Sequence, residues 1–247
     1  MVSQIKVNPK NTEGLAKLEL FFLCALLFVL PTMESPKTIA ALLFALTWIC
    51  RRVLSKNLKL RMPDLVEISI ICLIFSAVIS TAINWPFENG FKGIKDTLLY
   101  TSIFWFIYRG SYTEGQKYIM LVISAIGVWV GLGWGIIDVS MGKRTFLQFH
   151  SAGIVTQSSI FLGIALISSF SPAFLISRLK LPVDIKQNKA HIIFWKLSFL
   201  AMLLGLFFMG SRGAILAVAV GTSIFFLALR EKKAAFLLIA LLISIAF

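Results

Sequence analysis

An α-helix needs about 20 mostly apolar residues to cross the roughly 30 Å hydrocarbon core of a bilayer, and this chain repeats such a stretch along its whole length. The apolar runs fall at about 18–33, 37–53, 64–84, 94–110, 118–139, 151–172, 191–209, 213–229 and 234–247. A soluble core absorbs many apolar residues, but not a series of separate runs this long. Composition agrees: 58% of the 247 residues are hydrophobic and 14% are charged, against about 25% charged in soluble domains. Hydrocarbon offers no water to an unpaired backbone group, so continuous apolar runs must be helical. A β-barrel would show short alternating strands instead. The sequence therefore predicts an all-α, polytopic helical membrane protein with about eight or nine transmembrane helices, a single transmembrane domain over 1–247.

The net charge of +13 could point to nucleic acid, but the cations sit in short clusters between apolar runs. That is the pattern of loops obeying the positive-inside rule. With the N-terminus placed in the cytoplasm, seventeen of the 24 Lys and Arg residues fall in inner loops and six in outer ones, with Lys196 inside the seventh run. The bias holds loop by loop, which excludes a nucleic-acid partner and sets the topology. Lys6, Lys10 and Lys17 before the first run resemble a signal peptide. No small-residue cleavage site follows, so the run reads as an uncleaved first span.

Trp48, Trp85, Trp105, Trp134 and Trp195 fall near the ends of predicted spans, where an amphipathic ring prefers the interface. Cys24, Cys50 and Cys72 lie in or beside apolar runs without C-x-x-C spacing. They read as small buried hydrophobes rather than a zinc or disulfide framework. Gly127, Gly131 and Gly135 in the fifth run, and Gly213, Ala217 and Gly221 in the eighth, form stripes that permit close helix approach in lipid. Gly131, Gly133 and Gly135 are no dinucleotide fingerprint, since no strand precedes them.

Chemistry is sought among ionisable groups at the outer face, where each must find a partner or water. Arg212 lies in Met209-Gly210-Ser211-Arg212-Gly213-Ala214, in a turn too short to leave the membrane surface. Its planar fork suits phosphate oxygens; the alternative is an arginine snorkelling to headgroups. Arg144 and Lys143 form a second outer cationic group, and with Arg212 they could bracket a pyrophosphate. His150 is a possible base or a polar cap. Lys92 and Lys95 are offset by Glu88 and Asp96 and read as a solvated loop. Asp64 and Glu67 open the third run and favour its helix N-terminus, or else form a proton relay. His191 and Lys196 read as interfacial. No H-E-x-x-H, P-loop or nucleophile elbow occurs, so neither metal nor cofactor is expected.

At Gly210-Ser211-Arg212-Gly213-Ala214, closing one span and opening the next, the sequence resembles the O-antigen ligase and O-antigen polymerase superfamily, whose members carry a Ser/Thr-Arg-Gly/Ala motif there. Gly142-Lys143-Arg144-Thr145 and the helix start from His150 to Gly163 resemble the family's arginine-containing loop and next span. The resemblance covers about Thr97 to Arg230. It implies the fold of the multi-span lipid-sugar glycosyltransferases and a place in a bacterial inner membrane. It also implies a metal-independent, inverting ligase of lipopolysaccharide biosynthesis. Such a ligase moves a glycan from undecaprenyl pyrophosphate to lipid A–core at the periplasmic face. Its partners would be that donor, that acceptor and membrane lipids. Arg212 would bind the pyrophosphate and stabilise the leaving group, aided by Arg144 and Lys143. The family places its histidine base in a large outer loop after about the ninth span, and the sequence ends at Phe247, inside its ninth run. His150 does not match that histidine, so no catalytic residue is assigned. The expectation is the N-terminal part of such a protein, cut in its last helix. Alternatives are a polymerase using the same donor, a secondary transporter or flippase, which should show charges near the midplane, and a non-catalytic membrane subunit.

Overall fold

The computed structural model describes residues 9–55, 63–83, 90–149, 155–174, 188–210 and 212–228. They form eight helices: α1 Pro9–Val29, α2 Glu34–Leu54, α3 Leu65–Ile83, α4 Gly90–Tyr108, α5 Glu114–Ser140, α6 Val155–Phe174, α7 Lys189–Phe208 and α8 Arg212–Ala228. No strand occurs among the described residues. Each of the first eight apolar runs coincides with a helix; the ninth, 234–247, lies outside the described residues. Three helices, α3, α5 and α7, are long and apolar enough to cross a membrane. Shorter apolar stretches occupy Thr97–Tyr108, Ser158–Phe170 and Gly213–Ser223, while α1 carries Glu13, Lys17 and Glu19 in its first half.

The outward surface of these helices is apolar. Leu65, Phe75 and Ile83 of α3 are 81%, 65% and 76% exposed. A helix apolar all round belongs in a large core or in lipid, and among the described residues most of the α3 surface is left uncovered.

Helix ends follow local chemistry. Asp64 Oδ1 accepts from the backbone of Val66 and Glu67, both at 3.1 Å, while Glu67 Oε2 accepts from the Asp64 N–H at 3.3 Å. Thr113 and Gln116 form the same reciprocal box at α5, with bonds of 3.3 and 2.9 Å, so three orphan N–H groups are satisfied at the start of α3 and two at that of α5. Asn188 caps α7 by accepting from Ala190 N–H at 2.9 Å. Helices α5 and α7 stop before Gly142 and Gly210, whose φ values of +69° and +65° lie where a side chain is unfavourable.

Contacts divide the chain into two compact units, residues 1–22 with 41–112, and residues 23–40 with 113–247. In the first, α2 lies beside α4: Phe44 stacks edge-on against Phe106, and Trp48 lies 5.6 Å from Trp105 and 4.6 Å from Phe106 between ring centroids. Helices α3 and α4 are antiparallel neighbours, since Glu67 at the start of one meets Arg109 just past the other.

In the second unit, α5 and α7 run parallel. Tyr118 meets His191 and Trp195 near their starts, and Ser140 and Phe208 share a cavity near their ends. Helix α6 runs opposite to α7, with Phe170 against Phe199. Between them and α8 lies a core containing Leu132, Leu162, Leu166, Met202, Leu206 and Val218. Polar side chains inside it turn back on the backbone or pair across helices: Thr222 donates to Val218 O at 2.6 Å, and Trp129 Nε1 donates to Ser198 Oγ at 3.0 Å. That satisfies hydroxyls where water is absent.

The glycine stripe of α5 packs as its spacing predicts. A Cβ on Gly127 would sit 2.6 Å from the Phe28 carbonyl oxygen, and one on Gly135 would sit 2.9 Å from that of Gln148. The stripe in α8 is different. Gly213 meets nothing within 4 Å and Ala217 is exposed; the packed face is Ala214, Val218 and Gly221, the last beside Ile167 of α6. Of the expected stripe only Gly221 is packed, and the contacting face follows spacings of four and then three residues with Val218 at its centre.

Two further expectations are corrected. Cys50 and Cys72 are exposed and only Cys24 is partly buried, because the faces that carry them point away from neighbouring helices. Trp48 and Trp195 are 6% and 1% exposed; they anchor helix contacts rather than a surface belt. Trp134 is exposed at 42%, and Trp85 lies outside the described residues.

Candidate functional site

Two of the cation-bearing segments singled out in the sequence, residues 142–145 and the turn that leads to Arg212, lie at the end of the second unit where α5 and α7 both stop. There α5 gives way to the segment 141–149, and α7 gives way to the short turn before α8. Met141 N–H and Lys143 N–H return to the carbonyls of Ile137 and Asp138, both at 2.9 Å, so the chain folds back over the last turn of α5. Phe149 is 1% exposed and its N–H donates to Ser158 Oγ of α6 at 2.9 Å. The segment is thus tied down at both ends.

Arg144 is the centre of that tie. Its Nε lies 3.5 Å from Asp138 Oδ2, and its Nη1 donates to the Phe149 carbonyl at 3.5 Å. The guanidinium therefore turns inward to a carboxylate that is 5% exposed. Lys143, next to it, is exposed. Of the Lys–Arg pair, one cation braces the loop and the other faces out. Arg212 opens α8 four residues after Phe208. Its side chain, like His150, Lys92 and Lys95, lies outside what is described.

Beneath the loop is a cavity of about 430 Å³ lined by Ile136, Val139, Ser140, Thr145, Leu147 and Phe208. Its walls are largely apolar, and its volume is in the range of small-molecule sites, about 300–1,000 Å³. The arrangement is an apolar hollow bordered by the segment that carries Lys143 and Arg144. It could hold a hydrocarbon segment whose anionic head lies at the loop.

Sequence reasoning missed the pairing of three buried acids with arginine, and named only Glu67 of the three. Besides Asp138, Glu19 of α1 is fully buried; Arg51 Nε stands 2.9 Å from its Oε2, in ion-pair range but outside hydrogen-bond alignment. Tyr112 OH donates to Glu19 Oε1 at 2.7 Å, and burial together with this carboxylate pushes the Tyr112 hydroxyl pKa well up. Glu67 receives a two-pronged contact from Arg109, through Nε and through Nη2 at 2.5 Å, and Trp105 Nε1 donates to it at 2.6 Å. The available signal was a carboxylate inside or bordering an apolar run, which must find a cation.

Asp64 accepts from Tyr108 OH at 2.5 Å. That bond, with the backbone N–H of Glu67, holds its carboxyl below the usual carboxylate range. Asp64 and Glu67 are thus a helix cap joined to Arg109, Trp105 and Tyr108. His191 is half-buried near the start of α7: its Nδ1 is 3.0 Å from Tyr118 OH, which also accepts from Trp195 Nε1 at 3.0 Å. Among the described residues no three His, Cys, Asp or Glu side chains gather as a metal site requires.

No family model, characterised protein or solved structure matches the chain.

Proposed function

We propose that this chain is an O-antigen ligase-like membrane glycosyltransferase, acting on an undecaprenyl pyrophosphate-linked glycan at the periplasmic face of a bacterial inner membrane. Its N-terminus is cytoplasmic in this reading, and all eight described helices cross or enter the bilayer. The observation that carries the reading is the apolar cavity under the Lys143–Arg144 loop, at the end of α7 from which Arg212 follows. A polyprenyl pyrophosphate is a hydrocarbon chain with a strongly anionic head. The cavity suits the first part of the chain, Lys143 and Arg212 suit the head, and Arg144, braced by Asp138, fixes the loop that presents Lys143.

These residues supply the donor half of the chemistry. An acceptor hydroxyl of lipid A–core attacks the anomeric carbon from the face opposite the pyrophosphate and gives its proton to a general base, a role assigned to none of these residues. The bond from that carbon to the pyrophosphate oxygen breaks, and the electron pair leaves with the phosphate. Positive groups placed where this charge develops lower the barrier without a metal.

The buried carboxylates also bear on the transporter alternative. Glu19, Glu67 and Asp138 each pair with an arginine and lie near an end of their apolar run. A transporter site would place ionisable groups near the midplane. A polymerase shares the donor and differs only in the acceptor.

The test is binding of undecaprenyl pyrophosphate to the purified chain in nanodiscs. Arg212→Ala and Lys143→Ala should each weaken it about tenfold, the loss of one charge-assisted contact. Gly133→Ala, where an added methyl meets nothing within 4 Å, should leave it unchanged. Full affinity in both cation variants would remove the basis of the reading.

A further inference from the structure

The first unit holds a second cavity, independent of the glycosyltransferase reading. It is a trough of about 360 Å³ between α3 and α4. Ile70, Ile71 and Ile74 form its long wall, with Ser102 and Trp105 across from them and Arg109 at one end. Helix α3 is apolar on its exposed surface as well, so the trough opens onto the same hydrocarbon that would surround the helix. Thr101 turns its hydroxyl back to Thr97 O at 2.5 Å. Ser102, one residue on, makes no hydrogen bond among the described residues, although it lines the space.

The end at Arg109 carries both charges. Glu67 engages Nε and Nη2 of the guanidinium, which has further N–H donors, and the side chain is 26% exposed. Arg52 Nη2 donates to the Arg109 carbonyl at 2.5 Å. Asp64, exposed, lies on the far side of the same network through Tyr108. Arg52 and Arg109 thus balance Asp64 and Glu67. A purely anionic head would meet two carboxylates and an uncharged one would leave the guanidinium donors unused. A head with both a phosphate and an ammonium matches.

We propose that this trough binds one phospholipid with a zwitterionic, ammonium-bearing headgroup. Its phosphate rests on Arg109, its ammonium turns toward Asp64, and one acyl chain lies along Ile70, Ile71 and Ile74. Ser102 is placed to donate to an ester carbonyl.

The full chain, reconstituted with phosphatidylethanolamine, phosphatidylglycerol and diacylglycerol in equal amounts and then extracted, is examined by native mass spectrometry. One phosphatidylethanolamine should be retained about tenfold over either competitor. Ile74→Trp, which fills the trough with an apolar group, should abolish retention while leaving thermal unfolding and undecaprenyl pyrophosphate binding unchanged. Arg109→Lys, which keeps the charge but not the fork, should reduce it. Equal or greater retention of phosphatidylglycerol overturns the headgroup assignment, and equal retention of diacylglycerol overturns the phosphate contact. Undiminished retention in Ile74→Trp overturns the site itself.

Discussion

Glu19 of α1 and Arg51 of α2 form an ion pair at 2.9 Å, and the carboxylate is entirely withdrawn from solvent. An acid so placed depends on its partner more than a surface acid would. Removing one member leaves the other charge buried, which costs about 3–5 kcal/mol. Arg51→Ala should therefore destabilise the first unit by that amount in thermal unfolding. The double variant Glu19→Gln with Arg51→Leu should recover much of it. Equal stability of Arg51→Ala and the parent would show the pair to be idle.

Gly127 tests the glycine stripe. Its added Cβ would press on the backbone oxygen of Phe28 at 2.6 Å, and a backbone carbonyl cannot rotate aside as a side chain can. Gly127→Ala should cost about 1–3 kcal/mol through overpacking. Gly133→Ala, on the open face of the same helix, should gain up to about 1 kcal/mol from helix propensity. Opposite signs in paired unfolding curves are the expected result.

Trp195 is 1% exposed and its indole N–H depends on the Tyr118 hydroxyl. Tyr118→Phe strands that donor and also removes the bond to His191. A loss of about 1–3 kcal/mol should accompany a shift in tryptophan emission. Unchanged emission and stability would mean that the indole N–H does not rely on this hydroxyl.

Asp64 sets an acid limit. Its carboxyl is held below the ordinary range, chiefly by the Tyr108 hydroxyl. A depressed carboxylate contributes stability above its unfolded-state pKa and loses it as pH falls through the folded value. Helicity of the parent should therefore decline between about pH 5 and pH 1, and Asp64→Asn should flatten that decline while lowering stability near neutrality. An identical acid profile in the variant would assign the sensitivity to other groups.

Much of the helix pattern was legible because local sequence decides it. Apolar run length placed eight helices, and Asp64 with Glu67 announced a helix start. What stayed hidden depends on register between helices. Arg144 reads as a free outer cation until the chain is folded back and Asp138 appears beneath it. Arg109 counts as one more inner-loop charge until Glu67 meets it from another helix. Trp48 and Trp195 sit near the ends of apolar runs, as interfacial residues do, but the neighbouring helix covers them. Position along a helix is visible in sequence; the direction a side chain faces around it is fixed by packing. Of the candidate site, the shared end of the Lys143–Arg144 loop and the α7–α8 turn followed from span order. The cavity between them did not.

The three buried ion pairs share an order in time. Each acid leaves the ribosome before its partners: Glu67 precedes Arg109 by 42 residues, and Glu19 precedes the Tyr112 hydroxyl by 93. Arg144 follows Asp138 by only six residues, but until the more distant partners are synthesised α1 and α3 each carry a charge that nothing yet answers. Each must wait at the membrane surface or enter protonated. Stable insertion of α1 and α3 would then await Arg51 and Arg109, and a pause in translation ahead of either would hold back a helix already made.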